Sequence, residues 1–239
     1  MSYIKPLLVL VAAVAFAAAP FFTPEFGGFD PNLYPVPQEN PPAQPAGYAF
    51  AIWGLIYVWL IAHGAFGLFA RAKDPVWDAG RLPLIASLAI GVFWLQVAMV
   101  SPIWATVMIW AMLGLALVAL MRTPIKDRWI LLPPIALYAG WLTAASSVSI
   151  ALVGAGFGLA FGEVIWALIA LGIALILGGG IQSRLARGPE YGAAIVWVLI
   201  AVVMANKGGS TLVMTAAGVG TALIAALAFR AFWHERAAP

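Results

Sequence analysis

The sequence has no cysteine, two histidines and few charged residues, and each shortage excludes a class of site or of protein. Without cysteine the chain cannot form disulfides, iron–sulfur clusters or thiolate metal sites. Charged residues make up only 9% of the chain, whereas soluble globular proteins carry roughly 25%. A soluble domain of this length would need more polar surface. The net charge of +3 is not gathered on one soluble face, so we expect no nucleic-acid partner.

Long apolar runs take the place of the missing polar residues. Apolar residues make up 64% of the chain and the mean hydropathy is +1.01. A bilayer core needs about 20 apolar residues per helix, and the short alternating segments of a β-barrel are absent. The sequence therefore predicts an all-α, polytopic integral membrane helix bundle. Its eight predicted spans are residues 7–22, 47–70, 82–100, 102–121, 129–152, 161–181, 191–205 and 210–232.

Basic residues alternate strictly between the loops of this eight-helix arrangement. They occur at the N-terminus, between spans 2 and 3, 4 and 5, and 6 and 7, and at the C-terminus, while Lys207 alone falls on the other side. Loops rich in Lys and Arg remain in the cytoplasm. We therefore expect both termini to be cytoplasmic, and the protein to lie in a bacterial cytoplasmic (inner) membrane.

The connection over residues 23–46 is then external, and it is unusually rich in proline. It holds seven prolines, three acidic residues and no basic residue. Proline at this density excludes helix and favours extended or polyproline-like backbone. Long loops in compact domains are often functional, so this loop is either a cover for a site or an ordered tether between two helices.

Eleven tryptophans are the most unusual feature of the composition. Trp53, Trp94 and Trp141 fall inside predicted spans, in their outer or middle parts, and Tyr57 lies on the same helix face as Trp53. These rings form either simple helix packing or an aromatic pocket beneath the proline-rich loop. Flat apolar ligands would suit such a pocket. The face of Trp141 is continued or flanked by Tyr138, Ala145 and Ser149, and we expect these three residues to contact the ligand as well.

Two stretches of the sequence resemble the tryptophan-rich sensory (TspO/MBR) family. The first is Pro45-Ala-Gly-Tyr-Ala-Phe-Ala-Ile-Trp-Gly-Leu-Ile-Tyr57, and the second is Leu132-Pro133 followed by Tyr138-Ala-Gly-Trp141-Leu-Thr-Ala-Ala145. Trp94 matches a third position of the family. The resemblance implies a TspO/MBR-like five-helix core over residues 1–152, followed by three additional transmembrane helices over residues 153–239.

The resemblance also implies a function. Members of this family bind tetrapyrroles such as porphyrins, or sterol-like lipids, and act as sensors, often as homodimers in membrane lipids. Carried over to this chain, the ligand-contacting residues are Trp53, Tyr57, Trp94 and Trp141. Gly91 and Ser149 stand where the family often has asparagine, which removes two ligand-binding amides. We expect no obligatory cofactor, only a bound porphyrin, other tetrapyrrole or lipid.

The sequence contains few residues that could carry out catalysis. There is no Ser-His-Asp set, no pair of intramembrane carboxylates and no metal-ligand cluster, so we do not expect an enzyme, although porphyrin breakdown is proposed for some relatives. His63 is a weak candidate for a metal ligand. The alternative for His63 is a hydrogen bond to a neighbouring helix, in a stretch of small residues that allows close packing.

Two other functions fit the composition. The protein could be an accessory structural subunit of a larger pigment- or haem-containing membrane complex, photosynthetic or respiratory. A small transporter fits less well, because the spans lack interrupted, symmetry-related helices and charged pathway residues.

Overall fold

The computed structural model describes residues 3–24 and 26–237, and every regular element in those ranges is helical. The α-helices are Ile4–Ala18 (α1), Ile52–Phe69 (α2), Pro75–Asp78 (α3), Arg81–Ala98 (α4), Pro102–Arg122 (α5), Leu132–Gly156 (α6), Glu163–Leu185 (α7), Pro189–Ala205 (α8) and Thr211–Ala237 (α9). Short 3₁₀ segments cover Ala19–Phe22, Pro31–Leu33 and Gly47–Ala51.

The predicted membrane bundle is confirmed. Among the described residues, seven helices are long and apolar enough to cross a membrane, with mean hydropathies from 1.5 to 2.5, and the predicted seventh span corresponds to the shorter apolar helix α8. The one-turn α3 belongs to the connection between the second and third spans. Its start is capped by Asp74, whose side chain accepts a hydrogen bond from the Val76 amide.

The fifth span differs from its predicted bounds of 129–152. Helix α6 begins at Leu132, because Asp127 adopts a positive φ of 44° and the chain turns before Pro133 and Pro134 enter the first helical turn. Proline fits this position because no helical hydrogen bond is needed there. The helix then runs to Gly156, and the left-handed Gly158 turns the chain away shortly after it.

The bundle consists of two rings of helices that share α6. In the first ring α2 packs on α1, α1 on α4, α4 on α5, α5 on α6, and α6 closes the ring on α2. In the second ring α6 packs on α7 and α8, and both pack on α9. Because it has neighbours on every side, α6 is buried over most of its length. The predicted boundary at residue 152, between the five-helix core and the three additional helices, falls near the end of this shared helix.

Charged residues of the loops meet at the end of the bundle that is predicted to be cytoplasmic. Arg71 forms two hydrogen bonds of 2.9 Å with Asp127, and the Trp77 indole donates a third of 2.8 Å. These bonds, that from Arg71 above all, hold the pKa of the Asp127 carboxyl below its usual value. Ion pairs also join Lys126 to Asp74 and Lys5 to Asp78 at 2.6 Å.

Arg81 fastens the end of α2 to the start of α4. Its guanidinium is buried and donates hydrogen bonds of 2.8 to 3.0 Å to the carbonyls of Gly67, Arg71 and Ala72. The last carbonyls of a helix lack partners within the helix and favour a cation. On the other side of this end, Arg128 pairs with Glu190 at 2.8 Å and with Glu235 at 3.1 Å. The basic loops therefore lie together, as their alternation predicts.

Candidate functional site

Two adjoining cavities lie beneath the proline-rich loop, inside the first ring of helices. The larger cavity has a volume of about 400 Å³. The smaller has a volume of about 60 Å³ and also touches α8. Phe26, Phe50 and Trp94 line both cavities and form the partition between them. The larger cavity is lined by Phe16, Ala19, Pro20, Thr23, Pro24, Phe26, Gly27, Gly47, Phe50, Trp53, Tyr57, Gly91, Trp94 and Leu95.

The rings around the partition make a continuous set of aromatic contacts. Trp53 stacks on Tyr57 with ring centroids 5.2 Å apart, because residues four apart lie on one helix face. Trp53 also meets the edge of Trp141 at 5.6 Å, and Phe50 meets Trp141 at 5.9 Å. Phe26 packs against Trp94 at 5.3 Å. Aromatic walls from three helices and the loop therefore face one region.

The structure distributes six of the seven predicted ligand-contacting residues over the two cavities. Trp53 and Tyr57 line the larger one, Trp94 lines both, and Trp141 lines the smaller one together with Ala145 and Ser149.

Tyr138 lines neither cavity. Its hydroxyl lies 2.9 Å from Ser87 Oγ, which itself donates to the Met112 carbonyl at 2.8 Å. Since the Ser87 proton is used in that bond, Tyr138 donates to Ser87, and this chain of hydrogen bonds joins α4, α5 and α6. In the described structure Tyr138 is a packing residue beside the site.

The indole N–H groups of the site differ in their hydrogen bonding. Trp94 Nε1 donates to the Ala105 carbonyl at 2.9 Å. Trp141 Nε1 is buried and has no hydrogen-bond partner among the described atoms. The Ser149 hydroxyl donates to the Ser146 carbonyl one turn earlier at 2.8 Å. Trp141 therefore provides a buried free donor beside the smaller cavity, and a buried unpaired donor favours any ligand that supplies an acceptor.

The proline-rich loop is fastened over the cavities by two backbone hydrogen bonds, to α6 and to α8, and by one from the side-chain amide of Asn206. The Val36 amide donates to the Gly156 carbonyl at 2.9 Å, at the end of α6. The Ala46 amide donates to the Ala201 carbonyl at 3.1 Å, and Asn206 donates to the Pro42 carbonyl at 2.9 Å. The loop is thus an ordered cover that contributes Phe26 to both cavities.

Several residues of the cavity walls were not predicted from the sequence. Phe26 and Phe29 come from the irregular loop, where no helical periodicity assigns a face. Phe50 is part of the stretch that resembles the family, but it was not predicted to line a cavity. Val198 of α8 lines the smaller cavity, so the helices beyond residue 152 take part in the site. The presence of Phe26 and Phe29 in an otherwise polar, proline-rich loop was the one sequence feature that could have indicated that they line a cavity.

His63 lies away from both cavities and is held in helix packing. Its Nδ1 is 2.9 Å from the Ile130 carbonyl, so this nitrogen carries the proton and donates. Its ring stacks on Trp77 at 4.9 Å. The neighbouring Gly64 allows close approach of α1, because a Cβ there would meet the backbone of Leu10. His63 is thus hydrogen-bonded, as in the packing alternative, but its partner is in the turn before α6 and not in a neighbouring helix. Residues 3–24 and 26–237 contain no group of three His, Asp or Glu placed to hold a metal.

A sequence model of the family described as TSPO-like protein matches residues 31–230. The chain belongs to the TSPO-like family. The match includes most of the loop, the helix that carries Trp53 and Tyr57, and the helices beyond residue 152 as far as α9. It begins after α1, which nevertheless supplies Phe16 to the larger cavity. Comparisons with curated proteins and with solved structures gave no match.

Proposed function

We propose that this TSPO-like membrane protein is a sensor that binds a flat, largely apolar molecule, a tetrapyrrole-like compound or another flat lipid, beneath its proline-rich loop. The proposal is of binding without chemical turnover. It rests above all on the edge-to-face contact of Trp53 and Trp141 beside cavities lined almost wholly by apolar and aromatic groups.

The dimensions and the chemistry of the walls support a flat ligand. Small-molecule sites typically enclose about 300 to 1,000 Å³ and are mostly apolar with a few placed polar groups. The larger cavity falls in this range. Opening of the Phe26–Phe50–Trp94 partition would join the smaller cavity to it. Aromatic walls favour a planar molecule, because offset-stacked and edge-to-face ring contacts add about 0.5–1.5 kcal/mol each beyond area burial.

The loop supports a site that can open and close. Its backbone hydrogen bonds link it to α6 and α8, and its Phe26 packs on Phe29, Phe50 and Trp94. A bound ligand would contact the loop and the helices at once. Occupancy would thereby bias the position of an external segment, which is the kind of coupling that a membrane sensor requires.

A porphyrin titration of the purified protein in lipid nanodiscs tests this proposal. The wild-type protein should bind saturably, with quenching of its tryptophan fluorescence. Ala145→Leu adds three carbon atoms beside the smaller cavity and should weaken binding, while helix propensity barely changes. The matched control is Ala89→Leu, at an exposed position of α4 that lines neither cavity. We expect this variant to bind as the wild type does.

Two outcomes would count against a specific binding site. Equal binding by both leucine variants would indicate partitioning of porphyrin into lipid. No binding by the wild type, together with migration in a large pigmented complex after extraction in mild detergent, would favour the accessory-subunit hypothesis. An absorption spectrum and mass analysis of the native protein would reveal a co-purified ligand.

A further inference from the structure

No basic side chain lines either aromatic cavity. All twelve Lys and Arg residues and both histidines fall within the described parts of the chain. Among the described residues the polar wall groups are uncharged: Thr23, Trp53 and Tyr57 in the larger cavity, Gln44, Trp141 and Ser149 in the smaller, and Trp94 in both. A carboxylate on a ligand held there would find no cationic partner on the cavity walls.

Lys207 is a basic residue that lies beside the end of the loop. It lines a separate external cavity, beyond the segment that contains Gln44, Pro45 and Gly47. That cavity also contains Glu163, an acidic side chain. A ligand carboxylate could reach Lys207 only by extending past this segment, so Lys207 provides a specific alternative to test.

The approach from the external side is acidic. The loop over residues 23–46 carries Glu25, Asp30 and Glu39 and no basic residue. The exposed side chains of Asp30 and Glu39 contribute a negative potential at this end of the bundle. This potential disfavours anionic molecules, and an unpaired carboxylate is costly to bury in an apolar site.

On the basis of the function proposed above, we propose that the ligand of the two cavities is an uncharged flat molecule that carries a hydrogen-bond acceptor. The geometry thus disfavours tetrapyrroles that carry free carboxylates. The acceptor would pair with Trp141 Nε1, the buried donor that has no partner among the described atoms. Trp94 does not compete for this role, because its indole N–H is already bonded to Ala105.

A matched pair of porphyrins tests the charge of the ligand. Protoporphyrin and its dimethyl ester share one ring system and differ in whether two side arms are carboxylates or neutral esters. Both are titrated into the wild-type protein and into Ala145→Leu in nanodiscs of uncharged lipid, and the weakened binding of the variant is subtracted as the reference. After this subtraction we expect the diester to bind at least about tenfold more tightly than the diacid.

The outcomes separate this inference from the proposed function. Tighter binding of the diacid would overturn the inference and leave porphyrin binding intact. Diacid binding that is lost in Lys207→Gln would also overturn it, because it would show that a carboxylate reaches the external cavity. Absence of cavity-dependent binding for both porphyrins would instead contradict the proposed function.

A second comparison tests the acceptor. Trp141→Phe removes the indole N–H and should weaken diester binding by about threefold to tenfold, the usual net effect of one hydrogen bond. Etioporphyrin has only alkyl side arms, so its affinity should fall by less in the same variant. Trp104→Phe, at a position that is 65% exposed, serves as the control. Equal losses for the diester and for etioporphyrin would contradict a hydrogen bond from Trp141.

Discussion

The ring of Tyr34, in the external loop, lies against the backbone of Gly156 at the end of α6. A Cβ at Gly156 would overlap that ring, and the Gly156 carbonyl accepts a hydrogen bond of 2.9 Å from the Val36 amide. Burial in this contact raises the pKa of the Tyr34 phenol above its ordinary value, so Tyr34 stays uncharged at physiological pH. The contact holds the middle of the loop over the two cavities.

Gly156→Ala should therefore loosen the loop without disturbing the helix. Alanine favours helix more than glycine does, so any loss must come from displacement of Tyr34. We expect faster amide hydrogen exchange at Tyr34 and Val36 and faster release of a bound porphyrin. Gly162→Ala is the control, because a Cβ at Gly162 meets nothing within 4 Å. Unchanged exchange in Gly156→Ala would show that this contact does not hold the loop.

The sidedness of the bundle can be tested with single cysteines, since the chain has none. Glu39 lies in the external loop and Lys73 lies in the connection after α2, and both are exposed. Cysteines at these two positions should react with an impermeant maleimide from opposite sides of the membrane, with Lys73→Cys reacting from the cytoplasm. Labelling of both from one side would contradict the eight-span arrangement.

Acid should weaken, through Asp127, the end of the bundle that is predicted to be cytoplasmic. The hydrogen bond and charge of Arg71, with the Trp77 indole, lower the folded-state pKa of Asp127. Its contribution to stability is therefore fully present above the unfolded carboxyl pKa of about 3.9. That contribution is lost as the pH falls through the lower folded value. Asp127→Asn should lower the unfolding temperature at pH 7 by a few degrees, since this pair is partly solvent-screened.

The difference in unfolding temperature between Asp127→Asn and the wild type should become smaller in acid. Asparagine tolerates the positive φ of residue 127, so the substitution isolates the charge. The gap in unfolding temperature between the wild type and Asp127→Asn should narrow as the pH falls below about 3.9. Lys73→Gln removes one charge, of the opposite sign, at an exposed position outside the Arg71–Asp127 pair, and it serves as the control. A gap that is constant with pH would show that the Asp127 charge does not stabilise the fold.

The fold was predictable to a greater extent than the site, for physical reasons. A bilayer demands long apolar helices, so composition and the alternation of basic loops were enough to give eight spans. The start of α6 was misplaced because Trp129 is apolar and gives no boundary, whereas Asp127 and the paired prolines decide it. Helical spacing correctly grouped Trp53 with Tyr57, and Trp141 with Ala145 and Ser149.

Helical spacing was not sufficient to predict whether Tyr138 or the residues of the proline-rich loop line the cavities. Tyr138 lies three residues before Trp141, yet it bonds Ser87 on α4 and lines neither cavity. Phe26 and Phe29 lie in irregular backbone, whose path depends on hydrogen bonds to α6 and α8 that no local pattern reveals. Val198 enters the wall only because the second ring shares α6 with the first.

The most direct test of the binding site compares porphyrin affinity in Trp141→Ala and Trp233→Ala. Trp141 is 2% exposed and lines the smaller cavity, whereas Trp233 is 55% exposed on α9. Loss of the Trp141 ring removes aromatic contacts of about 0.5–1.5 kcal/mol each and buried apolar area at about 25 cal/mol per Å².

Each variant is first checked for an unchanged elution volume and helix content, and Trp53→Ala provides a second variant of the same cavities should Trp141→Ala fold poorly. Affinity is then measured by quenching of tryptophan fluorescence in nanodiscs. The proposed site predicts that porphyrin binds Trp141→Ala more than about tenfold more weakly than the wild type, a loss of about 1.4 kcal/mol or more, and binds Trp233→Ala with nearly wild-type affinity. Equal affinities for folded Trp141→Ala, Trp53→Ala and Trp233→Ala would contradict it.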